Sequence, residues 1–143
     1  MRWGLIAVNA ATNRVYFLSK HLPDSQEDSV TVMDGSTLAA TTVPTGQYPS
    51  SIVVDEETNQ VYVVNRDSGT VAVIDGASNS TASLPVGYSP EHAALNPLTH
   101  RLYVASFCSD ISCRANGTLT VIQGNLVNAD CARKEKKRVL IRY

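Results

Sequence analysis

The string TNRVYFLS at residues 12–19 returns as TNQVYVVN at 58–65 and again as THRLYVAS at 99–106. Tyr16, Tyr62 and Tyr103 mark the three copies, at spacings of 46 and 41 residues. A second marker keeps step with the first: VTVMDG ends at Gly35, VAVIDG at Gly76 and LTVIQG at Gly124. A third, VPTGQYPSSIVVD against LPVGYSPEHAALN, sets Pro49 over Pro90 and Asp55 over Asn96, each pair 41 apart. A unit of this length cannot bury a core alone, so it must stack on copies of itself, in a solenoid or a circular array.

Within the middle unit, four short apolar runs are separated by turn formers: SIVV at 51–54, QVYVV at 60–64, GTVAVID at 69–75 and TASLPV at 81–86. They are rich in β-branched residues and too short and too often interrupted for helices. Apolar residues run nearly without alternation in VYVV and VAVI, which predicts sheets covered on both faces. Four strands per unit of about 40 residues, sandwiched on both sides, describe a β-propeller blade. The fold class expected is all-β, a partial propeller of about three four-stranded antiparallel blades at about 5–51, 52–92 and 93–124. The third blade is expected to be incomplete. From residue 125 the sequence NLVNADCARKEKKRVLIRY lacks the outer strand and the Gly-Pro turn, so 125–143 reads as a divergent basic tail, although its end, VLIRY, is apolar enough to dock as a strand.

NAATNRVYFLS, DEETNQVYVVN, NPLTHRLYVAS and the accompanying TVAVIDGASN resemble the YVTN-repeat β-propellers, a family that includes YncE-like and surface-layer proteins. The resemblance covers roughly residues 5 to 124. It implies a blade fold, often in seven-bladed proteins exported from the cytoplasm, and hence an extracytoplasmic location at the periplasm or cell surface. The chain itself shows no signal peptide, because MRWGLIAVNAATN runs straight into the first expected strand. The resemblance implies little about chemistry, since one fold hosts many functions.

No apolar run is long enough to cross a bilayer as a helix, and 17% of the residues are charged. The net charge of −1 hides an asymmetry: residues 1–129 hold 6 Lys and Arg against 11 Asp and Glu, and residues 130–143 hold 6 against 2. RKEKKR at 133–138 is short, carries a Glu and has no aromatic platform beside it, so it reads as a solvated tail and no nucleic-acid partner is expected. Three cysteines leave an odd thiol. Cys108 and Cys113 share the insertion FCSDISCRANG, where three states stand open: a disulfide tying down the loop, a zinc site completed by Cys131 and a histidine, or free thiols.

The units differ mainly between their second and third strands, where KHLPDSQEDS at 20–29 and FCSDISCRANG at 107–117 lengthen the connection. In an up-and-down blade these loops emerge on the same end as the blade-to-blade connections TGQYPSS and VGYSPEH. That end is predicted to carry function, and Tyr48, Tyr88, Glu91 and His92 are the ligand-binding candidates. The opposite end keeps the short NAATNR-type turns and His100. His21, Asp24, Glu27 and Asp28 form an acidic loop whose spacing matches no calcium loop. Asp34 and Asp75 precede Gly and read as turn residues.

No nucleophile elbow, zinc-binding His-Glu-x-x-His or phosphate loop is present in the sequence, and no catalytic residue, metal or cofactor is assigned. Two readings of function follow. One is a non-enzymatic binding or scaffold module that engages a protein or a cell-surface polymer through the looped end. The other is part of a lactonase- or lyase-like propeller enzyme, with Glu91 and His92 at the disc centre. Three blades leave the two terminal sheets uncovered, at roughly 25 cal/mol per Å² of bare apolar surface, so remaining blades of a longer chain or a second copy are expected to close the ring.

Overall fold

The computed structural model describes residues 4–19, 28–108, 117–124 and 136–140. Twelve strands form three sheets, each with four antiparallel strands, and no helix occurs among the described residues. The first sheet runs β1 (Ile6–Asn9), β2 (Arg14–Ser19), β3 (Asp28–Asp34) and β4 (Ala40–Gly46). The second runs β5 (Pro49–Asp55), β6 (Gln60–Asn65), β7 (Thr70–Asp75) and β8 (Thr81–Pro85). The third runs β9 (Tyr88–Asn96), β10 (Arg101–Cys108), β11 (Thr118–Gln123) and β12 (Lys136–Leu140). Each is a meander in chain order. The first strands stand beside one another, β1 against β5 and β5 against β9, so they are the inner strands of successive blades. This is a partial propeller.

The blades start earlier than their sequence boundaries at 52 and 93, with β5 opening at Pro49 and β9 at Tyr88. The pairing of β5 with β6 shifts between Pro49 and Ser51, and that of β9 with β10 shifts opposite Glu91. Ser50 and Glu91, 41 residues apart, are therefore equivalent bulge residues that let the strand continue past a proline. In the third sheet the outer place after β11 is taken by β12, which pairs Ile122 with Lys136 and Thr118 with Leu140. That strand comes from the basic tail and has no counterpart in the repeat.

Alternation along the strands explains the near-continuous apolar runs. In β6, Val61 and Val63 point to the first blade and pack with Tyr16, Val30 and Val32. Tyr62 and Val64 point the other way, against Leu102, Val104 and Ile122 of the third blade. Every residue of β6 is buried, and its four central apolar side chains are fully so. At about 1.5–3 kcal/mol per fully buried apolar side chain, this strand contributes to holding all three blades together. Each blade thus has a front face toward its predecessor and a rear face toward its successor. The repeated tyrosine lies on the rear face.

The turns repeat as faithfully as the strands. Asn13, Asn59 and His100 all adopt left-handed φ, at 52°, 54° and 51°. Their carbonyls accept the N–H of Gly35, Gly76 and Gly124 in turn. A side chain on Gly76 would strike Asn59 Oδ1 and come within 2.7 Å of its carbonyl oxygen, which is why glycine recurs there. Asp34 and Asp75 act as turn residues: Asp34 Oδ1 accepts from Ser36 and Thr37 at 2.8 and 2.9 Å, and Asp75 Oδ1 from Ala77 and Ser78 at the same distances. These backbone donors hold both carboxyls below the ordinary range, those of Thr37 for Asp34 and of Ser78 for Asp75 foremost.

Candidate functional site

At one end of the disc the connection between the first two blades is zipped onto the β6–β7 turn. The N–H of Arg66 donates to the carbonyl of Tyr48 at 2.8 Å and that of Asp67 to Gln47 at 3.2 Å, while Gln47 N–H reaches Ser68 Oγ. Asp28, the one described member of the acidic loop, accepts the N–H of Tyr48 at 2.9 Å. Tyr48 is held at φ 56°, which costs a bulky side chain energy, and these bonds hold it there. His21, Asp24 and Glu27 lie outside the described residues.

Arg66 ties the end together. Its guanidinium lies 5.8 Å from the centroid of the Tyr48 ring, and its Nε is 3.0 Å from Glu91 Oε1 and 3.4 Å from Ser89 Oγ. Tyr48 comes from the connection into the second blade, Arg66 from that blade's turn and Glu91 from the bulge of the third. The cluster therefore spans the second junction. The ion pair is 41% and 34% exposed, so it adds only about 0.2–1 kcal/mol, and the cation–π contact adds a similar amount. What it provides is a fixed side-chain position. Beside it a cleft of about 280 Å³ is lined by Arg66, Gly69, Gly87, Tyr88 and Ser89.

Of the four ligand-binding candidates, Tyr48 and Glu91 meet through Arg66, and Tyr88 lines the adjoining cleft with 48% of its surface exposed. His92 stands apart. It pairs with Ala105 in the regular part of β9 and is exposed on the rear face of the third blade. One residue past the bulge, its side chain leaves the sheet on the face that would meet a further blade. Tyr48 and Tyr88 are not equivalent either: the residue 41 after Tyr48 is Ser89, which has the same left-handed backbone, at φ 50°. Cys108, at the end of β10, is buried and disulfide-bonded, with its partner outside the described residues. Cys113, Cys131 and the two long loops also lie largely outside them.

The opposite end carries an arrangement that the sequence reading passed over. Asn9 Nδ2 donates to Asn59 Oδ1 at 2.9 Å, joining the first blade to the second. At the next junction, Asp55 Oδ2 lies 2.8 Å from His100 Nδ1. The two contacts are the same contact, since Asn9 and Asp55 end inner strands and Asn59 and His100 hold the left-handed turn position. Glu57 adds an outer carboxylate 3.4 Å from His100 Nε2. Asp55 is buried and His100 half-buried, so this latch is sheltered where the Arg66 pair is not. A polar latch sits at each junction.

Arg66 was missed because NRDSGT reads as an ordinary turn, and nothing in a turn sequence says which neighbour its side chain will cross. The latch did leave a signal. Asn9, Asp55 and Asn96 recur in phase with Asn13, Asn59 and His100, and the one position where Asp replaces Asn faces the one where His does. Neither a protein-family model nor a curated protein matches this chain.

Proposed function

We propose that this chain is a YVTN-type propeller module that binds a protein or a cell-surface polymer through its looped end and catalyses no reaction. The observation that carries this is the Arg66 cluster. An arginine held over Tyr48 and against Glu91 presents, with the half-exposed Tyr88, two of the residue types enriched among those that dominate binding energy in interfaces. Because Arg66 is already held by two blades, little side-chain freedom is left to lose on binding. The disulfide at Cys108 supports an extracytoplasmic location, where such bonds persist.

The test compares the wild type with an Arg66→Ala/Tyr88→Ala double variant. Retention of purified peptidoglycan, of a defined polysaccharide panel and of isolated cell-surface proteins is measured, with far-UV circular dichroism as the folding control. Binding that the double variant loses and a Thr37→Ala control at the opposite end keeps supports the reading. Binding indifferent to Arg66 and Tyr88, or turnover of a lactone that Glu91→Gln abolishes, overturns it.

A further inference from the structure

The cleft beside Arg66 lies between two segments of the looped end, the turn at 66–69 and the connection at 85–89 that leads into the third blade. They are fastened to each other at two points: Val86 N–H donates to the Gly69 carbonyl at 2.9 Å, and Arg66 Nε donates to Ser89 Oγ at 3.4 Å. Gly69 sits at φ 62°, and a side chain there would come 2.8 Å from the Gly87 carbonyl oxygen, so this close approach of the two backbones needs glycine. The cleft of about 280 Å³ is thus built by contacts within the chain and has room for one sugar ring.

Its polar groups are only partly engaged. Glu91 and Ser89 take the Nε of Arg66, and among the described residues its terminal amino groups have no hydrogen-bond partner. The Asp67 carboxylate, which also lines the cleft, has none among them either. Donors and an acceptor are therefore free side by side, next to the half-exposed ring of Tyr88.

Charge and hydrogen bonding decide what can fill this space. One cation stands with two carboxylates, Asp67 and Glu91, so an anionic ligand meets more like charge than opposite charge, and a cationic one has to approach the guanidinium. An apolar ligand would cover the Arg66 donors without satisfying them. A neutral ring bearing adjacent hydroxyls carries neither penalty. Each hydroxyl both donates and accepts, so a pair of them can accept from the terminal N–H groups of Arg66 and donate to Asp67, while the C–H face of the ring lies on Tyr88. From this we infer that the cleft is a subsite for one residue of a neutral polysaccharide. The inference rests on the binding role proposed above for the looped end, and it selects a polysaccharide over a protein as the partner.

The test is an amide chemical-shift titration of the isotope-labelled 143-residue chain with maltotriose, cellotriose and mannotriose, and with the uronic-acid counterpart of each. At least one neutral trisaccharide is expected to shift the amides of Gly69, Gly87, Tyr88 and Ser89 saturably, and its uronic-acid counterpart to bind about tenfold more weakly. Arg66→Lys, which keeps the charge and loses the fork, and Tyr88→Ala are each expected to weaken binding by about tenfold. Asp67→Asn is expected to narrow the gap between the neutral and the acidic sugar, a change that a merely structural role for Asp67 would not produce. Unchanged amide shifts away from the cleft check that each variant keeps the fold. No binding of any neutral trisaccharide, shifts centred elsewhere, or an acidic sugar bound as tightly as its neutral counterpart overturns the inference. Retention of a surface protein that depends on Arg66 and Tyr88, with no trisaccharide bound, overturns it while leaving the proposed function standing; the absence of both kinds of binding overturns both.

Discussion

The two latches make a quantitative exchange experiment. Asp55 is 1% exposed, accepts from Thr58 N–H at 3.4 Å through Oδ1 and faces His100 Nδ1 at 2.8 Å through Oδ2. Asp55→Ala removes a sheltered hydrogen bond to a charged group, and such bonds contribute about 1.5–3 kcal/mol. His100→Ala removes the same bond and keeps a Cβ-bearing residue in the left-handed region at φ 51°, so the backbone cost that histidine already carries changes little. What change there is appears in both the single and the double variant and cancels in a double-mutant cycle. The remaining coupling is expected to be at least 1 kcal/mol, because the residues touch. Asp55→Asn/His100→Asn rebuilds the Asn9–Asn59 pair at the second junction. Its stability is expected within about 1 kcal/mol of the wild type, since asparagine tolerates the left-handed turn and can donate across it. Urea unfolding followed by far-UV circular dichroism measures all five proteins, with equal m-values as the check that they unfold the same surface. Additive alanine effects, or an Asn/Asn protein as unstable as Asp55→Ala, would refute the equivalence of the two latches.

Gly76→Ala is expected to destabilise by about 1–3 kcal/mol in the same urea assay, because the new methyl meets Asn59 backbone at 2.7 Å and cannot be accommodated by a side-chain rotation. Burial, aided by the nearby Asp55 carboxylate, pushes the Tyr62 phenol up to about 12. Its contribution to stability is therefore complete below about pH 10, the ordinary phenol value, and is lost as pH rises from there through 12. Tyr62→Phe is expected to flatten this alkaline loss, read as the change in urea midpoint between pH 9 and 11.

Most of the fold was legible because the repeat states it three times. Tyr16, Tyr62 and Tyr103 fix the phase, and the strings VYVV and VAVI fix strands covered on both sides. What escaped reading is what the repeat does not contain. The outer strand β12 was legible only at its apolar end: VLIRY reads as able to dock as a strand, but the strand opens at Lys136, inside the basic run that reads as a solvated tail, and its pairing with β11 depends on where the intervening segment returns the chain. The site was half legible. Tyr48, Tyr88 and His92 were placed on a common end by their loops, with Glu91 added as the neighbour of His92, whereas the structure brings Tyr48 and Glu91 together through Arg66 and sets His92 apart. A one-residue bulge separates the directions of Glu91 and His92, and bulges leave only a weak mark in sequence.

The wholly buried strand β6 also has a consequence for alignment. In QVYVVN three of the four central residues are valines, divided between opposite sides of the sheet. A slip of one residue would exchange the sides while leaving valine facing valine almost everywhere, so the valines do not choose the register. The choice falls to Tyr62, whose phenol donates to Gln60 at 2.7 Å and lies over Gly124, where an added Cβ would come 2.5 Å from it. Gln60 and Asn65 mark the two ends of the strand, but only the ring tells left from right. In this middle copy of the repeat, the tyrosine serves as the key that seats an otherwise nearly symmetric strand the right way round.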